Sequence, residues 1–153
     1  MVSIMDNVDE LTNKLSALIA NLSPQARRHL AKNIGKKITQ SQRQRITNQQ
    51  NPDGTSFIPC KNLRKKKGWI RRQKMFVKLK MARYLKAKST ANQVVVGFSG
   101  SAANIAAVHQ FGQRGVVNEK HNISTQYAKR ELLGFTDQDK ALVEELIIHQ
   151  LSM

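Results

Sequence analysis

One cysteine is too few for an internal disulfide, and Cys60 is the only one in the 153 residues. It also leaves no spaced Cys/His set for a structural zinc. The chain therefore fits a reducing compartment such as a bacterial cytoplasm. Aromatic residues make up 5% of the chain, so a modest core is expected, with polar extensions that settle against a partner. Proline is sparse, and its three positions, Pro24, Pro52 and Pro59, fall at element boundaries. No apolar run approaches the ~18 residues of a membrane span. Met1 to Glu10 carries three acids and no base, the wrong sign for a secretory signal, so a soluble protein is expected. Acid is scarcest in the middle. Between Leu11 and Asn118 the only acidic residue is Asp53, yet 22 of the 26 Lys and Arg lie there. A basic body with mildly acidic ends, formal net charge +16, attracts any polyanion, whether DNA, RNA or an acidic protein surface.

The residues that are present read as one α+β domain over 1–153. Asp6 can cap a first helix, with Val8, Leu11, Leu15, Leu18 and Leu22 as its apolar stripe. Ser23-Pro24 ends it and opens a second, in which Ala26, Leu30, Ile34, Ile38 and Ile46 share a face and Gly35 is a weak point. Residues 1–47 are thus expected to form a helical hairpin. Asn51-Pro52-Asp53-Gly54 is turn chemistry within a loop over 48–59. Lys61 to Lys88 holds 13 basic residues and no acid. Its start has little apolar content and can be disordered, whereas Trp69 to Lys86 predicts a basic helix. Residues 48–92 therefore read as a loop and basic extension.

The last part, 93–153, reads as a small, mostly antiparallel sheet packed with helices. Val94-Val95-Val96 favours a buried strand. Ala102 to Gln110 reads as a helix ended by Gly112 at its C′ position. Val116-Val117 and the alternating Ile123, Thr125 and Tyr127 suggest strands. Thr136 to Asp139 has capping-box spacing and opens a final helix with Leu142, Val143, Leu146, Ile147 and Leu151 on its inner side.

Several stretches, taken in order, carry a resemblance. They are Gln49-Gln50-Asn51-Pro52-Asp53-Gly54, Phe57-Ile58-Pro59, Val95-Val96-Gly97-Phe98, Ile105 through Gly112, and Arg130-Glu131-Leu132-Leu133-Gly134-Phe135. Each alone is a turn, a strand or a helix end; order and spacing together are specific. The chain resembles the phage virion morphogenesis, or tail completion, family over roughly residues 5–150. It departs from the family pattern at Phe57, often Trp, at Lys129, often Pro, and in the heavier basic run Lys61 to Lys67. The resemblance implies a tail-terminator-like fold and a structural protein that finishes the tail and joins it stably to the head. By analogy it implies a homo-oligomeric ring, of six subunits, at the head-proximal end of a contractile tail. That ring would meet tail tube, sheath and neck, sit in the virion, and be assembled in the host cytoplasm. It implies no enzyme, cofactor or metal. Asp53, Gly54, Phe57, Pro59, His109, Gln110, Gly112, Arg130, Leu133 and Gly134 would be its structural or interface positions.

The residues themselves leave alternatives. Asp53-Gly54 is better read as the loop that brings Phe57 and Pro59 into the core than as a site. His109 lacks any nucleophile motif or second acid nearby in sequence, so catalysis is a distant third reading. His109-Gln110 is expected to hydrogen-bond backbone or a neighbouring subunit. Ala102, Ala103, Ala106 and Ala107 fit close packing within the subunit or against another. Leu132 and Leu133 cannot face the same way on a strand, so one can face a partner. The basic run can be a solvated face, can bind nucleic acid with Trp69 and Phe76 stacking, or can dock onto acidic tail neighbours. Within the resemblance the third is favoured, through Arg64, Lys65, Lys66, Lys67, Trp69, Arg71, Arg72 and Lys74, with non-specific contact to genomic DNA in the channel beside it. The rival class is a free basic nucleic-acid-binding protein, against which no RNP1, GXXG or zinc-finger pattern is found.

Overall fold

The structure, a computed structural model, describes residue 16 and residues 18–60 and 74–153. The elements in chain order are α1 (Pro24–Thr47), β1 (Leu85–Ser89), β2 (Val94–Phe98), α2 (Ser101–Phe111), β3 (Arg114–Asn118), β4 (Ile123–Gln126) and α3 (Asp137–Leu151). The α+β class holds, but the strands form two separate two-stranded sheets, β1–β2 and β3–β4. Of the first helix expected, residues 16 and 18–20 are helical, and most of its stripe, with Asp6, lies outside the described residues.

α1 starts as its sequence requires. Ser23 Oγ accepts from Ala26 N at 3.1 Å, and Pro24 takes a position where its missing N–H costs nothing. Its end is less usual. Gln49 N donates to Ile46 O and Gln50 N to Arg45 O, the bond pattern of a helix ending on a left-handed residue. That residue is Gln49, at φ 57, where glycine is the common choice. The cost of a side chain there, about 1–2 kcal/mol, is offset by three bonds from its amide. Nε2 donates to Ile46 O and Met75 O, and Oε1 accepts from Met75 N.

The chain divides into two compact units, and α1 contributes to both. One comprises the described residues up to Ser41 with Lys86–Gly97 and Gly134–Met153. Its buried apolar residues are Leu30, Ala31 and Ile38 of α1 and Ile147 of α3. Leu142, Val143, Leu146 and Leu151 are half-buried beside Ile147 on the side of α3 expected to face inward. α3 opens on a capping box in which Thr136 and Asp139 exchange bonds, and the buried Asp139 carboxylate also accepts from Ser41 Oγ. Gly35 has a positive use: a Cβ there would meet Ala87 Cβ at 3.1 Å and Val94 Cγ1 at 3.2 Å. The weak point of the helix is thus a place where the β1–β2 hairpin packs close against it.

The other unit comprises the described residues of Gln42–Leu85 together with Phe98–Leu133. Its core is Ile46, Phe57, Leu79, Ala102, Ala106 and Leu132, flanked by Met75, Phe76, Tyr84 and Phe98. Ala102 and Ala106 therefore pack within the subunit. Gly112 ends α2 in the left-handed conformation, φ 62, as expected.

Three expectations are corrected. The described part of the basic helix, 75–84, is a succession of turns, and residues 85–86 belong to β1. Packing overrides helical spacing there. Phe76 takes φ 64 and sets its ring edge-on to Phe57 and His109, with centroids 5.7 and 4.7 Å away. Val94 to Val96 is not a buried strand: Val94 and Val96 are half-buried and Val95 is exposed, because a two-stranded sheet covers one face only. Residues 128–133 form no strand, yet they separate the two leucines, Leu132 fully buried and Leu133 half-buried.

Candidate functional site

The family-motif positions converge on one irregular segment, 130–133, whose backbone is held by side chains in place of a sheet ladder. Irregular backbone in a core must find partners for every N–H and C=O, and polar side chains supply them here. Gln110, at the end of α2, makes a reciprocal pair with Leu133: Nε2 donates to Leu133 O and Oε1 accepts from Leu133 N, both at 2.9 Å. Asn51 Oδ1 accepts from Glu131 N at 2.9 Å. Arg45, on the last turn of α1, donates to Glu131 O at 2.6 Å, Leu132 O at 2.8 Å and Gln50 O at 3.0 Å. Gln42 Oε1 accepts from the same guanidinium.

Arg130 works in the opposite direction. Its Nε donates to Ile58 O at 2.6 Å and Nη2 to Pro59 O at 3.1 Å. It thus fastens the 57–59 stretch, where Phe57 enters the core at 4% exposure. Pro59, expected in the core, is exposed and contributes its carbonyl. The turn before it is built by its own polar groups. Asp53 accepts from Thr55 N and Thr55 Oγ1, and the Thr55 hydroxyl first, then its amide, hold this carboxyl below its ordinary range. Gly54 has φ 86, which asks for glycine. Asp53-Gly54 is therefore a turn, as read, but it brings only Phe57 into the core and not Pro59.

His109 is buried and stacked edge-on between Phe76 and Tyr127, both centroids at 4.7 Å. Of the expected backbone bonding at His109-Gln110, Gln110 makes it, whereas the His109 ring meets a side chain: Arg130 Nη1 lies 3.1 Å from its Nδ1. Arginine only donates, so Nδ1 accepts and the proton sits on Nε2. Burial, and secondly the Arg130 charge, pull this imidazole down to about 4, so it is neutral at pH 7. A neutral imidazole against a guanidinium suits a structural joint. Among the described residues, no group of three His, Cys, Asp or Glu could hold a metal.

The pH consequence has a definite sign. The unfolded imidazole titrates near 6.5, the folded one near 4. Below pH 6.5 the unfolded state therefore binds the proton first. Stability from this group is complete above 6.5, falls as pH drops to about 4, and is level below; the full loss is roughly 3 kcal/mol. Urea midpoints measured from pH 7 to 4 should show it, and His109→Gln should flatten that slope. An unchanged slope in the variant would contradict the assignment.

Of the docking candidates, Lys74 is exposed, while Arg64, Lys65, Lys66, Lys67, Trp69, Arg71 and Arg72 lie outside the described residues. Lys78, Lys86 and Lys88, further along the run, are also exposed; Lys80 donates to Thr47 Oγ1, and Arg83 lies over the Tyr84 ring. Gly112 has its own constraint, since a Cβ there would crowd Lys129 N at 3.1 Å. Gly134 is half-buried just after the clasped segment.

Sequence reasoning missed Arg45, Gln42 and Gln49. A signal existed: Ile38, Gln42, Arg45 and Gln49 follow at steps of four, three and four, so these polar residues share the apolar face of α1.

No solved structure matches the chain. The tail completion protein S of Escherichia phage P2 is 38% identical over 150 residues, which cover 96% of this chain and 99% of that protein. The phage virion morphogenesis family is matched over residues 6–152, so the clasped segment, the helices that hold it and the basic run all lie within the match, and the chain belongs to that family.

Proposed function

We propose that this chain completes the phage tail: a structural, non-enzymatic protein of the virion that caps the head-proximal end of the tail and supports stable joining to the head. The observation that carries this reading is its end-to-end similarity to the tail completion protein S of phage P2. In the same reading it assembles in the host cytoplasm as a homo-oligomeric ring, of six copies, on a contractile tail. The ring meets tube, sheath and neck, and non-specific contact with genomic DNA in the channel belongs to the same picture. The basic run, with Arg64, Lys65, Lys66, Lys67, Trp69, Arg71, Arg72 and Lys74, docks onto acidic tail neighbours. Charge of one sign along that run speeds encounter and fixes register more than it adds affinity.

The ring has a candidate contact in the β3–β4 hairpin. Val116, Val117 and Ile123 are 60%, 44% and 50% exposed on it. A two-stranded hairpin is marginal alone, and exposed apolar residues on one favour burial against a second copy. Val116→Lys with Ile123→Lys should leave the fold intact and shift the protein from oligomer to monomer in sedimentation velocity. An oligomer unchanged by the pair would remove the hairpin from the interface.

The test of placement is to add purified protein to tails isolated from a phage lacking it, and to image them by negative stain. The expected result is added density at one end only, lost when Arg64, Lys65, Lys66 and Lys67 are changed to Glu. Density scattered along the tail, or none, would overturn the placement.

A further inference from the structure

We propose that an open groove between α1 and the β1–β2 turn binds the phosphodiester backbone of duplex DNA, without reading its sequence. The groove is about 600 Å³ and lined by Arg28, Lys32, Ser89, Thr90, Ala91 and Asn92. Its construction follows from Gly35. The hairpin approaches α1 there through Ala87 and Val94. Ser89, two residues on from Ala87, points the same way along the strand. Arg28 and Lys32 stand seven and three residues before Gly35, so they lie on the side of α1 that the hairpin covers. The turn is closed by its own bonds: Thr90 N donates to Gln93 O, and Thr90 Oγ1 accepts from Asn92 N and Gln93 N. That oxygen already accepts twice, so toward a further group the hydroxyl acts as a donor.

The lining chooses the partner. It offers two cations, two hydroxyls and a carboxamide, and no carboxylate. These are the side chains that contact phosphate oxygens in protein–DNA interfaces. A protein partner would ask for an apolar or aromatic centre, and the groove offers only the methyl groups of Thr90 and Ala91. Single-strand grooves add aromatic side chains on which bases stack, and none lines this one. Arg28 and Lys32 are about 6 Å apart along the helix axis, and exposed Lys36 continues the row by one more turn. The net charge of +16 supplies long-range attraction, and the groove supplies the place.

This inference rests on the reading that the chain meets DNA. Its test needs only the free full-length protein, so its failure would leave tail completion standing, and failed tail completion would leave the groove standing. The measurement is fluorescence anisotropy with short labelled duplexes of two unrelated sequences, over roughly 50–200 mM salt. Because any +16 protein attracts DNA, the comparison is between two variants of equal charge. Arg28→Glu with Lys32→Glu alters the groove. Lys86→Glu with Lys88→Glu alters the β1 positions that alternate with Ala87 and so point away from α1. All four side chains are exposed, and circular dichroism checks that both variants fold.

The groove pair should bind at least about tenfold more weakly than the control pair, with a salt slope lower than wild type by about two, one per lost phosphate contact. Thr90→Ala with Asn92→Ala, which changes no charge, should also weaken binding several-fold, and the two sequences should bind alike. Equal losses in both charge-reversed pairs would overturn the proposal, since charge alone would then explain binding. A groove pair that binds duplex like the control pair but no longer binds polyglutamate would overturn it in favour of an acidic protein partner.

Discussion

Arg130→Met is expected to cost about 3–5 kcal/mol, from acceptors left unpaired at about 1–3 kcal/mol each, more than any single surface change in this chain. The side chain is 2% exposed, and its loss strands three acceptors at once: Ile58 O, Pro59 O and His109 Nδ1. Met fills most of the volume, so the loss reports hydrogen bonding rather than a cavity. Typical domain stability is about 5–15 kcal/mol, so the variant should lie near the threshold of folding, with Tm lower by roughly 10–15 °C. Arg130→Lys should recover less than half of this, because an ammonium cannot present the planar fork that serves three acceptors. A second readout separates a specific clasp from general loss of packing. With the neighbouring charge removed, His109 should titrate at higher pH than in the wild type, because Arg130 is the second cause of its lowering. An unchanged His109 titration would mean that the 3.1 Å contact does not operate in solution.

Arg45→Met is expected to cost a similar amount, about 3–5 kcal/mol, again from acceptors left unpaired. It strands Gln50 O, Glu131 O, Leu132 O and the Gln42 amide oxygen. Arg45 holds the 130–133 segment from one side, while Arg130 uses that segment to hold 57–59. The two substitutions should therefore be less than additive: once one has freed the segment, the other has less to lose. Urea unfolding of the two single variants and the double variant measures this directly. Strict additivity would mean that the clasps act independently.

How much of this was legible in the sequence depends on how local the cause is. Ser23-Pro24, Thr136 with Asp139, and Gly112 mark their helix ends through short-range chemistry, and each appears where expected. Phe57 was legible as a core residue, whereas Ala102, Ala106 and Leu132, left open between core and partner, are assigned to the core only by the fold. The turns at 75–84 were not, because Phe76 is drawn into left-handed backbone by rings at 57 and 109, far away in sequence. The clasp was half legible. The motif pointed to Arg130, His109 and Gln110, but their partners are carbonyls and ring nitrogens that only the fold brings near. Arg45 was hidden for a different reason: a charged residue is ordinarily assigned to solvent, although its place on the helix face put it inside. Pro59 shows the reverse, an apolar ring left outside while its carbonyl is used.

The claim of tail completion is tested most directly by deleting the gene from its phage, imaging the particles, and adding back the purified protein. The account predicts tails of abnormal length, or tails unable to join filled heads, with joined virions restored by the protein. Normal, joined and infectious virions in the deletion would contradict it.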